Sequence, residues 1–224
     1  MKLLFRAIIS MICAVLPWPM RRFVYRTVLG WELHPDSHIG PSLVLADKVE
    51  MSEGARIGRF NIISPIGLLR LGPYANLGNG NRVLGAQKTP KYSGEPDRLS
   101  QLIIQEHASI TRNHVLDCSN SITIGRFTVF AGYHSQILTH SPDFTRSHQT
   151  TRPVLIGEYC FVGTGCIILF GTTLPDRCIL GAGSMLSGEH QKTHSLYSGN
   201  PAKPVKDLPQ ELHYFHRKVG WFTD

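Results

Sequence analysis

The 224-residue chain has no CxxC pair among its five cysteines, Cys13, Cys118, Cys160, Cys166 and Cys178. An odd, scattered set argues against a disulfide framework and a thiolate zinc site, and indicates a reducing compartment. The chain also lacks any run near the ~18 apolar residues that a spanning helix requires. Charge is sparse at 17%, yet hydrophobic residues reach 42%, which excludes disorder as the default state. What is present in quantity is turn chemistry. The 21 Gly and 14 Pro argue for many tight bends and few long helices. A formal charge of +7 favours anionic partners: nucleic acid, a membrane surface or a phosphorylated cofactor. No motif or aromatic–basic interleaving supports nucleic acid.

Residues 1–33 form a separate compositional zone. An apolar stretch from Ala7 to Met20 is interrupted by Pro17 and Pro19, then followed by Arg21-Arg22-Phe23-Val24-Tyr25-Arg26. The positive start and apolar middle fit a signal peptide, but Pro-Trp-Pro-Met-Arg-Arg stands where a small-x-small cleavage pattern belongs. Two short helices docked on the body or on neighbouring subunits are expected. An interfacial basic helix, in peripheral contact with the inner face of a membrane, is the alternative.

From residue 34 to 206 the main signal is a period of six. Ile156, Val162, Ile168, Leu174, Leu180 and Leu186 are all branched aliphatics. Four residues on from each stand Cys160, Cys166, Thr172, Cys178, Ser184 and His190, five of them small. In an α-helix six residues leave successive positions 240° apart, which scatters the apolar set around the axis. In an extended chain positions i and i+4 share a face, so each six-residue strand presents one large and one small residue inward. Three such strands close a triangular coil, and stacked coils pair as parallel sheets. Upstream the period recurs through Ile39, Leu45, Met51, Ile57 and Ile63. It continues after slips through Leu71, Leu77 and Val83, then Ile104, Ile110 and Leu116, then Ile124 and Phe130. Two polar excursions, 86–101 and 141–153, interrupt it, and such excursions often line a site. In 207–224, Leu208, Leu212, Phe215, Val219 and Phe222 recur at helical spacing, which predicts an amphipathic C-terminal helix.

The repeat, with Ile156-Gly157, Val162-Gly163 and Leu180-Gly181, and the closing Gly199-Asn200-Pro201-Ala202-Lys203 resemble the hexapeptide-repeat acyltransferases. The closer resemblance is to the maltose, galactoside and nodulation-factor O-acetyltransferase branch and its polysaccharide-building relatives. It is carried by Thr139-His140-Ser141-Pro142-Asp143 ahead of Pro153-Val154-Leu155-Ile156-Gly157. The order His-Ser-Pro-Asp departs from the branch's His-Pro-Leu-Asp, and the 86–101 insertion has no counterpart there. The resemblance implies a mainly β, left-handed parallel β-helix that uses acetyl-CoA, forms a homotrimer with interfacial sites, works in the cytoplasm and needs no metal. It also implies His140 as general base, a role for which an imidazole is suited at neutral pH. Asp117 matches an acceptor-binding Asp, and Asn113 lies one position out of register with an Asn. Asp143 could orient the imidazole, bind acceptor hydroxyls or start a turn. His134 is expected to stack beneath His140 or to form a wall of the cleft. On the donor side, Gly163, Thr164 and Ala182 match the groove for the pantetheine arm, with Arg152, Lys203 and Lys206 near its phosphates. Two alternatives stay open: a γ-carbonic-anhydrase-like metal hydratase drawing on His107, His114, His134 and His140, though without Gly-His rung beginnings, and a non-catalytic scaffold subunit.

Overall fold

The computed structural model describes residues 2–85 and 98–220. The chain winds as a left-handed parallel β-helix with three faces of seven, nine and seven strands. Strand pairing stacks the inward side chains into three columns. One column runs Leu33, Met51, Leu71, Ile104, Ile124, Ile156 and Leu174. The second runs from Ile39 through Ile57, Leu77, Ile110, Phe130, Val162 and Leu180 to Tyr197. The third runs from Val44 through Ile63, Val83, Leu116, Ile137 and Ile168 to Leu186. All three columns are buried, and their burial is the main driving force for the fold.

The period of six therefore reports the columns, with one exception. Val44, not Leu45, points inward; Leu45 is half-buried. The bend through Gly40, Pro41 and Ser42 uses one residue fewer than six, which moves the inward position back by one. The small positions Cys160, Cys166, Thr172, Cys178 and Ser184 are all buried. The three thiols donate to carbonyls of the neighbouring coil, at Pro175 (3.0 Å), Gly181 (3.2 Å) and Lys192 (3.4 Å). Burial pushes all three thiols up, Cys178 to about 11, so none is poised as a nucleophile.

A fourth column stands outside the core, at the bend between the first and second faces. Tyr74, His107, Phe127 and Tyr159 all have φ of 54–56° and stack ring on ring at 5.1, 4.9 and 4.7 Å. Arg177 and Arg217 close it over Tyr159 at 5.6 and 5.7 Å. Left-handed backbone is costly for such residues, and the stacking offsets that cost.

The ends differ from the coil. Helix α1 (Lys2–Ala14) and helix α2 (Trp18–Val28) pack on the first turn. The Ser10 hydroxyl accepts from the Val44 N–H at 3.0 Å, occupying the open edge of the third face, and Arg6 pairs with Asp47. At the other end Ser195–Gly199 turns back on Ala202–Asp207 through the closing motif. Among the described residues the expected C-terminal helix is reduced to a single 3-10 turn, His213–His216, with Phe215 buried. Pairing holds the chain extended as far as Asp207, and Pro209 follows. Phe222 lies outside the described residues, as do residues 86–97 of the first excursion. The second excursion is an antiparallel hairpin that pairs His140–Asp143 with His148–Thr151. Among the described residues no helix is long and apolar enough to cross a membrane.

Candidate active site

Two of the candidate residues meet on the third face at one end of two neighbouring strands, Val115–Cys118 and Gln136–Leu138. Asp117 lies on the first and His140 just beyond the second, where the hairpin leaves the coil. His140 Nδ1 sits 2.5 Å from Asp117 Oδ2. The Asp117 side chain is only 6% exposed, and every group it meets is a donor. Its Oδ1 accepts from the Ser119 N–H (3.0 Å) and hydroxyl (2.7 Å), and its Oδ2 accepts from the Thr139 N–H (3.1 Å). A carboxylate saturated in this way fixes the neighbouring imidazole as the Nδ1–H tautomer. Nε2 is then the basic nitrogen. It has no hydrogen bond among the described residues, and the side chain is 39% exposed.

A shell of hydroxyls and amides holds the pair. The Thr139 hydroxyl donates to the Asp117 carbonyl (2.7 Å) and accepts from the Asn120 N–H (2.8 Å). Asn120 Nδ2 reaches the Thr151 hydroxyl (2.9 Å), and Thr151 pairs with His140 across the hairpin. Arg98, at the described end of the first excursion, donates to the Ser119 carbonyl at 2.5 Å. Both excursions thus meet at the dyad. Arg98, Ser119, Asn120 and Thr151 carry no motif, and only the coil spacing relates them to His140.

The carboxylate that orients the imidazole is Asp117. Asp143 opens the hairpin turn instead, its Oδ1 accepting from the N–H groups of Thr145 (2.9 Å) and Arg146 (3.1 Å). Arg152 ends the hairpin; its N–H donates to the Thr139 carbonyl at 3.0 Å and its guanidinium lies over Phe170 at 6.0 Å. It is the one donor-side candidate beside the dyad.

The remaining candidates, Lys203 and Lys206 apart, lie along the bend between the second and third faces. His134 does not stack beneath His140, because stacking partners in a coil are about eighteen residues apart, not six. Its backbone bonds the Asn113 carbonyl instead (3.1 Å), and both residues are exposed. Six extended residues separate His134 from His140, about 20 Å at most. Further up the same bend, Gly163 packs so closely that a Cβ would meet the Ala182 nitrogen at 2.6 Å. The Thr164 hydroxyl donates to the Tyr133 carbonyl (2.9 Å), and Ala182 is exposed. Lys203 and Lys206 are exposed on the closing strand, opposite Ser198 and Leu196.

Of the four histidines considered for a metal, His107 belongs to the aromatic column and His114 is fully buried. His114 Nδ1 accepts from the Ser135 N–H (3.2 Å), and Nε2 faces the Thr111 hydroxyl (3.0 Å). Among the described residues no three His, Cys, Asp or Glu side chains converge. Burial, then the nearby His134, push His114 down to about 4 from an ordinary 6.5. Between those values the unfolded chain takes up a proton that the folded chain refuses. Stability should therefore fall as pH drops from about 6.5 towards 4, by up to about 3 kcal/mol. Urea unfolding across that range should show the slope, and His114→Gln should flatten it. An equal slope in the variant would remove His114 as the cause.

A family model of the hexapeptide repeat of succinyl-transferase matches residues 153–187. A Schizosaccharomyces pombe protein named as an acetyltransferase is 30% identical over 95 residues, 40% of this chain and 45% of its own length, so the match spans less than half of that relative. A hexapeptide-repeat acetyltransferase of Vibrio cholerae, complexed with acetyl coenzyme A, has TM-score 0.50 at 18% identity, covering 93% of this chain and 88% of its own. A mutant of the N-acyltransferase AntD of Bacillus cereus, bound to dTDP-4-amino-4,6-dideoxyglucose and coenzyme A, has TM-score 0.55 at 15% identity, covering 78% and 88%. The repeat model thus shows residues 153–187 to be similar to the hexapeptide repeat, and the solved neighbours share the fold of the chain.

Proposed function

We propose that the protein is an acetyl-CoA-dependent O-acetyltransferase acting on a sugar or polysaccharide precursor, with His140 as general base. The observation that carries this reading is the 2.5 Å contact from His140 Nδ1 to a donor-saturated Asp117, with Nε2 open. The acceptor hydroxyl attacks the thioester carbonyl while Nε2 takes its proton. Collapse of the tetrahedral intermediate expels the coenzyme A thiolate, which the imidazolium protonates. No acyl-enzyme is needed, in keeping with the buried thiols. The nucleotide-sugar in the Bacillus cereus neighbour makes a sugar acceptor the natural class.

Asn113, His134, Gly163, Thr164 and Ala182 lie across the third face from their own His140. They serve a neighbouring subunit's dyad if the chain assembles as a trimer, and the donor then lies between two subunits. Arg152, Lys203 and Lys206 supply cations for its phosphates. A cytoplasmic location is part of this reading, supported by the coenzyme A donor it invokes and by a cysteine set without a CxxC pair.

Calorimetry with acetyl-CoA tests the donor directly. Binding by both wild type and His140→Ala, with acetyl transfer to sugar acceptors lost in the variant, is expected. No binding at millimolar donor by a well-folded oligomer would overturn the assignment.

A further inference from the structure

Nine of the nineteen large apolar side chains exposed among the described residues lie between Leu4 and Val28. Helix α1 is apolar on two sides. Ile9 and Cys13 pack on the coil, as does Leu16 just past the helix, while Leu4, Ile8 and Met11, spaced by four and three, form a second stripe facing outward that exposed Val15 extends beyond the helix end. Phe5 and Ile12 widen that stripe, and both are more than half exposed. A surface helix of a soluble domain normally has one apolar stripe, so the second one calls for an apolar medium or partner. Helix α2 adds Met20, Phe23 and Val28, which are 55%, 68% and 50% exposed.

The charge pattern selects the occupant. Residues 1–31 contain no Asp or Glu, but five cations, Lys2, Arg6, Arg21, Arg22 and Arg26. Arg6 pairs with Asp47. Arg21, Arg22 and Arg26 have no carboxylate partner among the described residues, and the Arg21 Nε and Nη1 atoms are buried without a hydrogen bond. Two copies of this face brought together would oppose like charges, whereas an anionic surface would neutralise them.

We propose that α1 and α2 form an interfacial anchor that lays this end of the β-helix on an anionic phospholipid bilayer. The outward stripe enters the headgroup–acyl boundary and the more accessible Arg22 and Arg26 meet lipid phosphates, with neither helix crossing the membrane.

Co-sedimentation of the full-length protein with vesicles tests the proposal. Vesicles of phosphatidylcholine with about 30 mol% phosphatidylglycerol should retain the protein at least about tenfold better than phosphatidylcholine alone, with binding falling as salt rises. Ile8→Ser/Met11→Ser/Val15→Ser should lose about tenfold or more in partitioning with its thermal midpoint unchanged. Arg26→Glu, at an exposed position, repeats the test should the triple variant misfold, and should weaken binding only to the anionic vesicles. Wild-type protein that stays in solution with both vesicle types would overturn the proposal. So would a triple variant that binds lipid like wild type, or one whose sole change is loss of self-association, which would make the face a contact between copies.

Discussion

Replacing His140 with alanine should cut acetyl transfer about 10²–10⁴-fold while leaving acetyl-CoA affinity nearly unchanged, the range general-base help ordinarily spans. The sharper test is Asp117→Asn. Every group around the Asp117 carboxylate donates: two N–H groups, the Ser119 hydroxyl, the Thr139 hydroxyl at a longer 3.5 Å, and the imidazole Nδ1–H. An amide in the same place has an NH₂ where one carboxylate oxygen stood, so it must direct donors at a donor. The least costly escape is for Nδ1 to accept from the amide, which moves the ring proton to Nε2. The imidazole is then a donor towards the acceptor hydroxyl and has no base to offer. Asp117→Asn should thus lower kcat about as far as His140→Ala, with KM for acetyl-CoA little moved. Asp143→Asn supplies the contrast. Its side chain caps a turn by accepting N–H bonds, which an Asn oxygen also accepts, so kcat should stay within about threefold of wild type. Wild-type activity in Asp117→Asn would sink the positioning role, and a large loss in Asp143→Asn would restore that residue to the chemistry.

The difference between those two aspartates shows what a sequence of this kind displays. The inward columns recur every six residues because each bend imposes the same geometry, so Ile156 to Leu186 is legible at once. Where one bend is shortened, as before Val44, the period loses a step and Leu45 is taken for its neighbour. His140 stands in a recognisable segment, but its partner lies 23 residues back on the adjacent coil. Asp143 is nearer in sequence and further in chemistry. A solenoid joins residues one coil apart, and the excursions make the coil length irregular, so spacing alone could not choose between the two carboxylates. The aromatic column was hidden for the same reason: Tyr74, His107, Phe127 and Tyr159 are separated by 33, 20 and 32 residues. Beyond Asp207 the helical spacing is present in the sequence, yet among the described residues it yields a single 3-10 turn, His213–His216.

Alanine at Gly78 should destabilise the protein by about 3 kcal/mol or more, the largest stability effect expected from adding a single carbon. Neighbouring coils come closest at the bends. A Cβ at Gly78 would sit 1.8 Å from the Thr111 carbonyl oxygen and 2.8 Å from its carbon. That oxygen belongs to the backbone, so it has no rotamer by which to move away. Relief requires the two coils to separate, and the Gly78 N–H bond to the Ile110 carbonyl at 2.7 Å opposes this. Gly183 is constrained for the opposite reason. Its φ of +69° lies in the left-handed region, but nothing stands within 4 Å of the place a methyl group would take. Alanine there has room and bears only the backbone penalty, about 1 kcal/mol. Urea unfolding of the two variants side by side separates contact from conformation. A Gly78→Ala loss no greater than that of Gly183→Ala would mean that the coils can part at little cost, and the close stacking of the bends would then contribute far less to the fold than the three aliphatic columns.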